Sequence, residues 1–143
     1  MSPPLVADTG GLLRALACRP DGEPTWPDFE QALRSASRVI VPALVLAEVD
    51  YFFRAQRRVM HRLIEEIFDP QTSYEYEPAD LHDILRARVL DMKFTSLELG
   101  LVDATVAAVA ERRRVHRILT IDREDFIPLR VGERFTKPLE IVP

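Results

Sequence analysis

The sequence predicts an α/β domain with a short, mainly parallel central sheet flanked by helices. Three observations carry that expectation. Short apolar runs at Leu5–Ala7, "RVIVP" (38–42) and "HRILTID" (116–122) read as buried strands. The stretches between them have helical spacing, so the strands are joined by crossovers rather than tight hairpins. Finally, 143 residues with a hydrophobic fraction of 47% suffice for one well-covered core, so a single domain over 1–143 is expected.

Taken in order, Leu5–Ala7 is the first strand, and a glycine pair then turns the chain into a helix over roughly Gly11–Ala17. "CRPDGEPTWP" (18–27) is loop. Asp28 is a candidate cap for a short amphipathic helix that carries Phe29, Ala32, Leu33 and Ala36. The second strand ends at Pro42, which can also open the next helix, "ALVLAEVDYFFR". "RRVMHRLIEEIF" makes another helix, and "TSYEYE", bounded by Pro70 and Pro78, makes a strand. In "ADLHDILRARVLDMKF" an apolar stripe runs through Leu81, Ile84, Leu85 and Val89. "LVDATVAAVAERRR" is alanine-rich and closes on arginines, as the helix dipole favours. "LEIV" offers a last strand.

Composition narrows the function classes. No apolar run approaches the roughly 20 residues of a membrane span, and no basic segment followed by an apolar one opens the chain, so a cytoplasmic protein without membrane attachment is expected. A single cysteine, Cys18, makes neither an internal disulfide nor a zinc cluster. A net charge of −4 argues against a general nucleic-acid coat. Even so, "RAQRRVMHR" (54–62) and "ERRRVHR" (111–117) each hold four arginines. Both can be solvated helix ends, and both can hold phosphate, because the guanidinium fork suits it.

The carboxylates say more. Asp8 and Asp122 each follow a strand, so both fall on the sheet edge where ligands bind in such folds. Either one alone reads equally well as a helix cap or a turn residue. Glu48 has Leu44, Val45, Tyr51 and Phe52 as its helical neighbours, so it projects from the face that packs on the sheet. A carboxylate there needs a partner or a metal. Asp50, with Arg54 one turn on, reads instead as a surface pair. Asp103 lies early in its helix among Leu99, Gly100, Val106 and Ala107, again on an apolar face, although a capping role is open. Two like charges about 4 Å apart cost on the order of 4 kcal/mol at an effective dielectric near 20. A cation offsets that repulsion. All-oxygen ligation suits Mg²⁺, with Mn²⁺ as a substitute, rather than zinc. His61, His82 and His116 lie in charged stretches where solvated roles fit better.

"VADTGGLL", "VPALVLAEVDYFF" and "LGLVDATVAAVAERRRVHRILTIDREDF", in that order, resemble the PIN-domain nucleases, and among them the bacterial toxins called VapC. The similarity spans essentially the whole chain, and Leu-Val-Asp-Ala followed by Leu-Thr-Ile-Asp-Arg is its most specific part. The resemblance implies a PIN-like fold and a metal-dependent endoribonuclease that leaves a 5′-phosphate and a 3′-hydroxyl. It further implies a VapB-type antitoxin as partner and a homodimer. The family's acidic site falls on Asp8, Glu48, Asp103 and Asp122, as metal ligands and catalytic groups, with Thr9 and Thr120 as supporting donors. Where many relatives have a further acidic residue, seven positions before the third carboxylate, this chain has Ser96. Arg112, Arg113 and Arg123 are candidate RNA contacts.

Two other classes remain for comparison. Phosphotransfer domains also place Asp after the first strand, but the phosphatases need a second Asp two residues on, where Gly10 stands. They also need a late lysine, and only Lys93 and Lys137 exist. A non-catalytic PIN scaffold that binds RNA or a protein partner would not require the acidic set to be complete.

Overall fold

The computed structural model describes residues 1–143. The chain runs β1 (Leu5–Ala7), α1 (Thr9–Leu16), α2 (Pro27–Ser35), β2 (Val39–Pro42), α3 (Ala43–Phe52), α4 (Arg57–Ile67), β3 (Tyr74–Glu77) and α5 (Leu81–Lys93). After a 3₁₀ turn at Thr95–Leu97 come α6 (Gly100–Arg113), β4 (Arg117–Leu119), α7 (Arg123–Phe126), β5 (Arg130–Val131), β6 (Lys137–Pro138) and β7 (Glu140–Val142). Five strands form one sheet in the order β3-β2-β1-β4-β7, and every pairing in it is parallel. This is the expected α/β architecture. A small antiparallel pair, β5 with β6, adds an element that the hydrophobic pattern did not suggest.

The strand order decides where a ligand can sit. From β1 the chain steps one way to β2 and β3, then returns and steps the other way to β4 and β7. Neighbouring strands at such a reversal open a crevice at their C-terminal ends. Here that crevice lies between β1 and β4, whose register pairs Ala7 with Leu119.

Burial explains why the strands can be so short. All of β1 and β2 is buried, and α6 lies over both, with every residue from Ala104 to Ala110 inside. The alanines of α6 let it approach the sheet closely, and α5 packs alongside it.

Four local expectations are corrected. Helix α1 starts at Thr9 because Asp8 is extended while its carbonyl already accepts the Leu12 N–H at 2.9 Å. Gly10 and Gly11 therefore lie inside the helix and do not turn the chain. A Cβ on Gly11 would stand 2.1 Å from the Leu119 carbonyl oxygen, so the glycine permits contact between α1 and β4. Pro27, not Asp28, opens α2, and Asp28 lies in its first turn. The apolar stripe read on α5 does not mark its buried face: Leu81, Leu85 and Val89 are 73%, 51% and 40% exposed, and Ile84 is partly buried. The buried face carries Asp83, Ala87 and Leu90, and a buried carboxylate there is what misdirected the hydrophobic pattern.

Candidate active site

β1 and β4 deliver their acidic residues to the switch-point crevice by register. Because Ala7 pairs with Leu119, the next residues, Asp8 and Thr120, fall side by side. The Asp8 N–H donates to the Leu119 carbonyl at 2.9 Å, and the Thr120 hydroxyl donates to Asp8 Oδ2 at 2.7 Å. Thr120 Oγ1 also accepts the Asp122 N–H at 2.9 Å, so one hydroxyl orients both carboxylate-bearing segments.

Carboxylate oxygens of Asp8, Asp103 and Asp122 lie within 4.8 Å of one another. α6 brings Asp103 to this point from its first turn. At that spacing each ionised pair repels by at least about 3 kcal/mol at an effective dielectric near 20. Asp8 is buried, and its second oxygen, Oδ1, has no hydrogen-bond partner. A buried, unpartnered carboxylate oxygen inside a ring of like charges fits a hard divalent cation held by oxygen donors.

The proton affinities record the same crowding. Asp8 is pushed up to about 6, chiefly by burial, with the Thr120 hydroxyl and the Thr9 backbone N–H drawing it back and the charges of Asp122 and Glu48 adding to the rise. Asp103 is pushed up to about 9, by burial first and then by the charge of Asp8 and a hydrogen-bonding contact with Asp125. Asp122 is raised as well, by burial and by Asp125. Like-charged neighbours and desolvation act in one direction, each favouring the protonated carboxyl.

The expected residues do not all converge equally. Glu48 lines the same cavity of about 340 Å³ as Asp8 and Asp122, but it stands outside the three-carboxylate cluster. It is half-buried, and Tyr51 and Phe52 beside it are each 57% exposed, so its face of α3 borders the cavity rather than the sheet. Asp50 pairs with Arg57 at 2.7 Å, while Arg54 stacks over Tyr51. The Thr9 hydroxyl has no partner, so Thr9 reaches Asp8 through its backbone alone. Ser96 is exposed on the 3₁₀ turn and does not line the cavity.

Asp125 is the residue that sequence reasoning missed. It sits three positions after Asp122 on the single turn of α7, and its contact with Asp103 puts a further carboxylate at the cluster. The i, i+3 spacing was a usable signal, but it pointed nowhere until Asp103 arrived from α6.

Arg112 and Arg113, expected as candidate RNA contacts, are both held in ion pairs. Arg112 grips the buried Asp83 through two hydrogen bonds of 2.8 and 2.9 Å and also binds Glu77. Arg113 pairs with Glu75 at 2.8 Å and Glu77 at 3.1 Å. These ion pairs tie α6 to α5 and β3, and the helix rise alone sets Arg113 about 15 Å beyond Asp103. Arg123 forms no such pair and borders the crevice.

A parallel sheet with acidic side chains gathered at its switch point defines a class of α/β domains with a carboxylate cluster at the sheet edge. Within that class, the PIN domain family profile matches residues 5–129, and the chain belongs to the PIN domain family. The chain is 29% identical over 135 residues to Ribonuclease VapC26 of Mycobacterium tuberculosis, covering 92% of this chain and 98% of that protein. The crystal structure of Mycobacterium tuberculosis VapC20, described as a sarcin-ricin loop cleaving toxin, superposes with a TM-score of 0.63. At 21% identity it covers 82% of this chain and 89% of its own, and it supports the likeness of fold. No helix is long and apolar enough to cross a membrane.

Proposed function

We propose that this protein is a Mg²⁺-dependent endoribonuclease of the VapC type, the toxin of a toxin–antitoxin pair. The observation that carries the reading is the cluster of Asp8, Asp103 and Asp122 at the switch point, together with the unpartnered Oδ1 of Asp8. Family membership and the ribonuclease name of the 29%-identical relative support the same chemistry.

In this reading Asp8, Asp103 and Asp122 hold the cation, Mg²⁺ or its substitute Mn²⁺, and Glu48 completes the site from across the cavity. What the cation supplies when bound is positive charge at the scissile phosphoryl oxygen and a more acidic water. The chain's own residues do the rest. Thr120 holds Asp8 through Oδ2 and leaves Oδ1 without a hydrogen-bond partner. Asp125, beside Asp103, would add a further carboxylate next to the residues that hold the cation. A cognate VapB-type antitoxin, a homodimeric state and a cytoplasmic location complete the proposal.

The test is to induce the protein and map new 5′ ends across total RNA, comparing wild type with Asp8→Asn. Discrete sites that appear with wild type and vanish with the variant are expected. Equal cleavage by a clean Asp8→Asn preparation overturns the assignment.

A further inference from the structure

We infer that a cavity walled by Arg14, Trp26, Phe29 and Arg123 is a nucleotide subsite, taking the base and phosphate of a residue next to the scissile bond. The inference rests on the ribonuclease reading and adds to it the place where the RNA strand is gripped.

The cavity has a volume of about 410 Å³, within the range of small-molecule sites. It adjoins the acidic centre directly. Arg14 and Ile121 line both cavities, and Thr120, which holds Asp8, forms part of its wall. A strand with one phosphate at the carboxylates therefore passes its neighbouring nucleotide into this space.

The chemistry of the walls matches such an occupant. The Arg14 guanidinium lies 4.0 Å from the centre of the Trp26 ring and 5.4 Å from that of Phe29. Trp26 remains 41% exposed although its ring is positioned by that stack. An indole held in place beside a guanidinium offers a base a stacking surface. Neither Arg14 nor Arg123 belongs to any ion pair of the protein. The contrast with Arg112 and Arg113, both neutralised by carboxylates, is direct. In a chain of net charge −4, two guanidinia without a carboxylate partner beside an acidic centre place positive potential where a phosphate backbone needs it. Asp28 also lines the cavity, and its charge disfavours phosphate on that side, which leaves the Arg14 and Arg123 side for the backbone.

The sequence supplies its own reporter, because Trp26 is the only tryptophan. The full-length wild-type protein is titrated, without divalent cation, with a short random-sequence single-stranded RNA pool while tryptophan emission is followed. Saturable quenching is expected. Trp26→Ala should raise the Kd for fluorescein-labelled RNA roughly five- to 150-fold, as loss of one base stack does, and Trp26→Phe should restore part of it. Arg14→Gln and Arg123→Gln should each flatten the slope of log K against log salt by about 0.7, the value for one phosphate contact on a single strand. A role confined to holding the loop shape would leave that slope unchanged. Cleavage of the same RNA with Mg²⁺ is measured in parallel. Wild-type cleavage with unchanged emission and wild-type Kd in all four variants overturns the subsite alone. Neither binding nor cleavage by the wild type overturns the ribonuclease reading, and the subsite with it.

Discussion

Thr120 and Asp8 are joined by a 2.7 Å hydrogen bond that leaves the other Asp8 oxygen buried and without a partner. A hydroxyl at the end of one strand thus aims a carboxylate at the end of its neighbour. That aim depends on the parallel register of Ala7 with Leu119, and any cation held here depends on it too.

Thr120→Val removes the donor without changing the shape of the side chain. Outer-sphere partners of this kind are worth about 10- to 100-fold in metal affinity or rate. The expected result is a loss of that size in Mg²⁺-dependent cleavage, with the circular dichroism spectrum unchanged. Wild-type activity in this variant would show that Asp8 needs no orientation.

In the absence of divalent cation, Asp8 at about 6 and Asp103 at about 9 both lie above their ordinary value of 3.8. The folded state then binds more protons than the unfolded chain, so these groups favour folding at low pH. Their contribution is lost as pH rises through the folded values. The thermal midpoint of the cation-free protein should therefore fall between about pH 6 and about pH 9, and Asp103→Asn should flatten the decline. Added Mg²⁺ should raise the midpoint more at the alkaline end, where no proton competes for the oxygens. A midpoint that rises with pH across this window contradicts the crowding described here.

Arg112→Ala should cost stability rather than RNA binding. It strands Asp83, whose side chain is 1% exposed, without its partner. Breaking an interior pair costs about 3 kcal/mol at the lower end, and the lower end applies because the guanidinium is itself a third exposed. Urea titration measures this. The protein that remains folded should bind RNA as tightly as wild type.

Gly11→Ala tests the contact between α1 and β4. Its new methyl group meets the Leu119 carbonyl at 2.1 Å, with Thr120 N at 2.7 Å. Overpacking of this kind costs about 1–3 kcal/mol or more, and any relief must push Thr120 away from Asp8. Lower stability together with weaker Mg²⁺ binding is expected. A variant with wild-type thermal stability would show that α1 can move freely from the strand.

Much of the architecture was legible because it is written in short, local patterns. The apolar runs at Leu5–Ala7 and Val39–Pro42 allow only buried parallel strands, and the residue after such a strand falls at the ligand-binding edge. Asp8 could be placed from that rule alone, whereas β4 ends at Leu119, so Thr120 takes the corresponding place and Asp122 follows in the turn into α7. Glu48 was identified for a reason that only partly holds, since Val45 on its face is buried but Tyr51 and Phe52 are exposed, Phe52 at the rim of the cavity.

The sequence by itself determined the class of fold, the edge on which the carboxylates gather and the all-oxygen character of the site, because periodicity and residue chemistry are local properties. Only the tertiary structure decided which groups meet. It brought Asp125 to Asp103 and buried Asp83 against Arg112. It also turned most of the apolar stripe of α5 to solvent and left Arg14 and Arg123 without carboxylate partners at the cavity that Trp26 lines. Each of these outcomes depends on helix rotation and on partners far away in the chain. An arginine's role is set by which carboxylates lie within reach, and no spacing within one segment reports that distance.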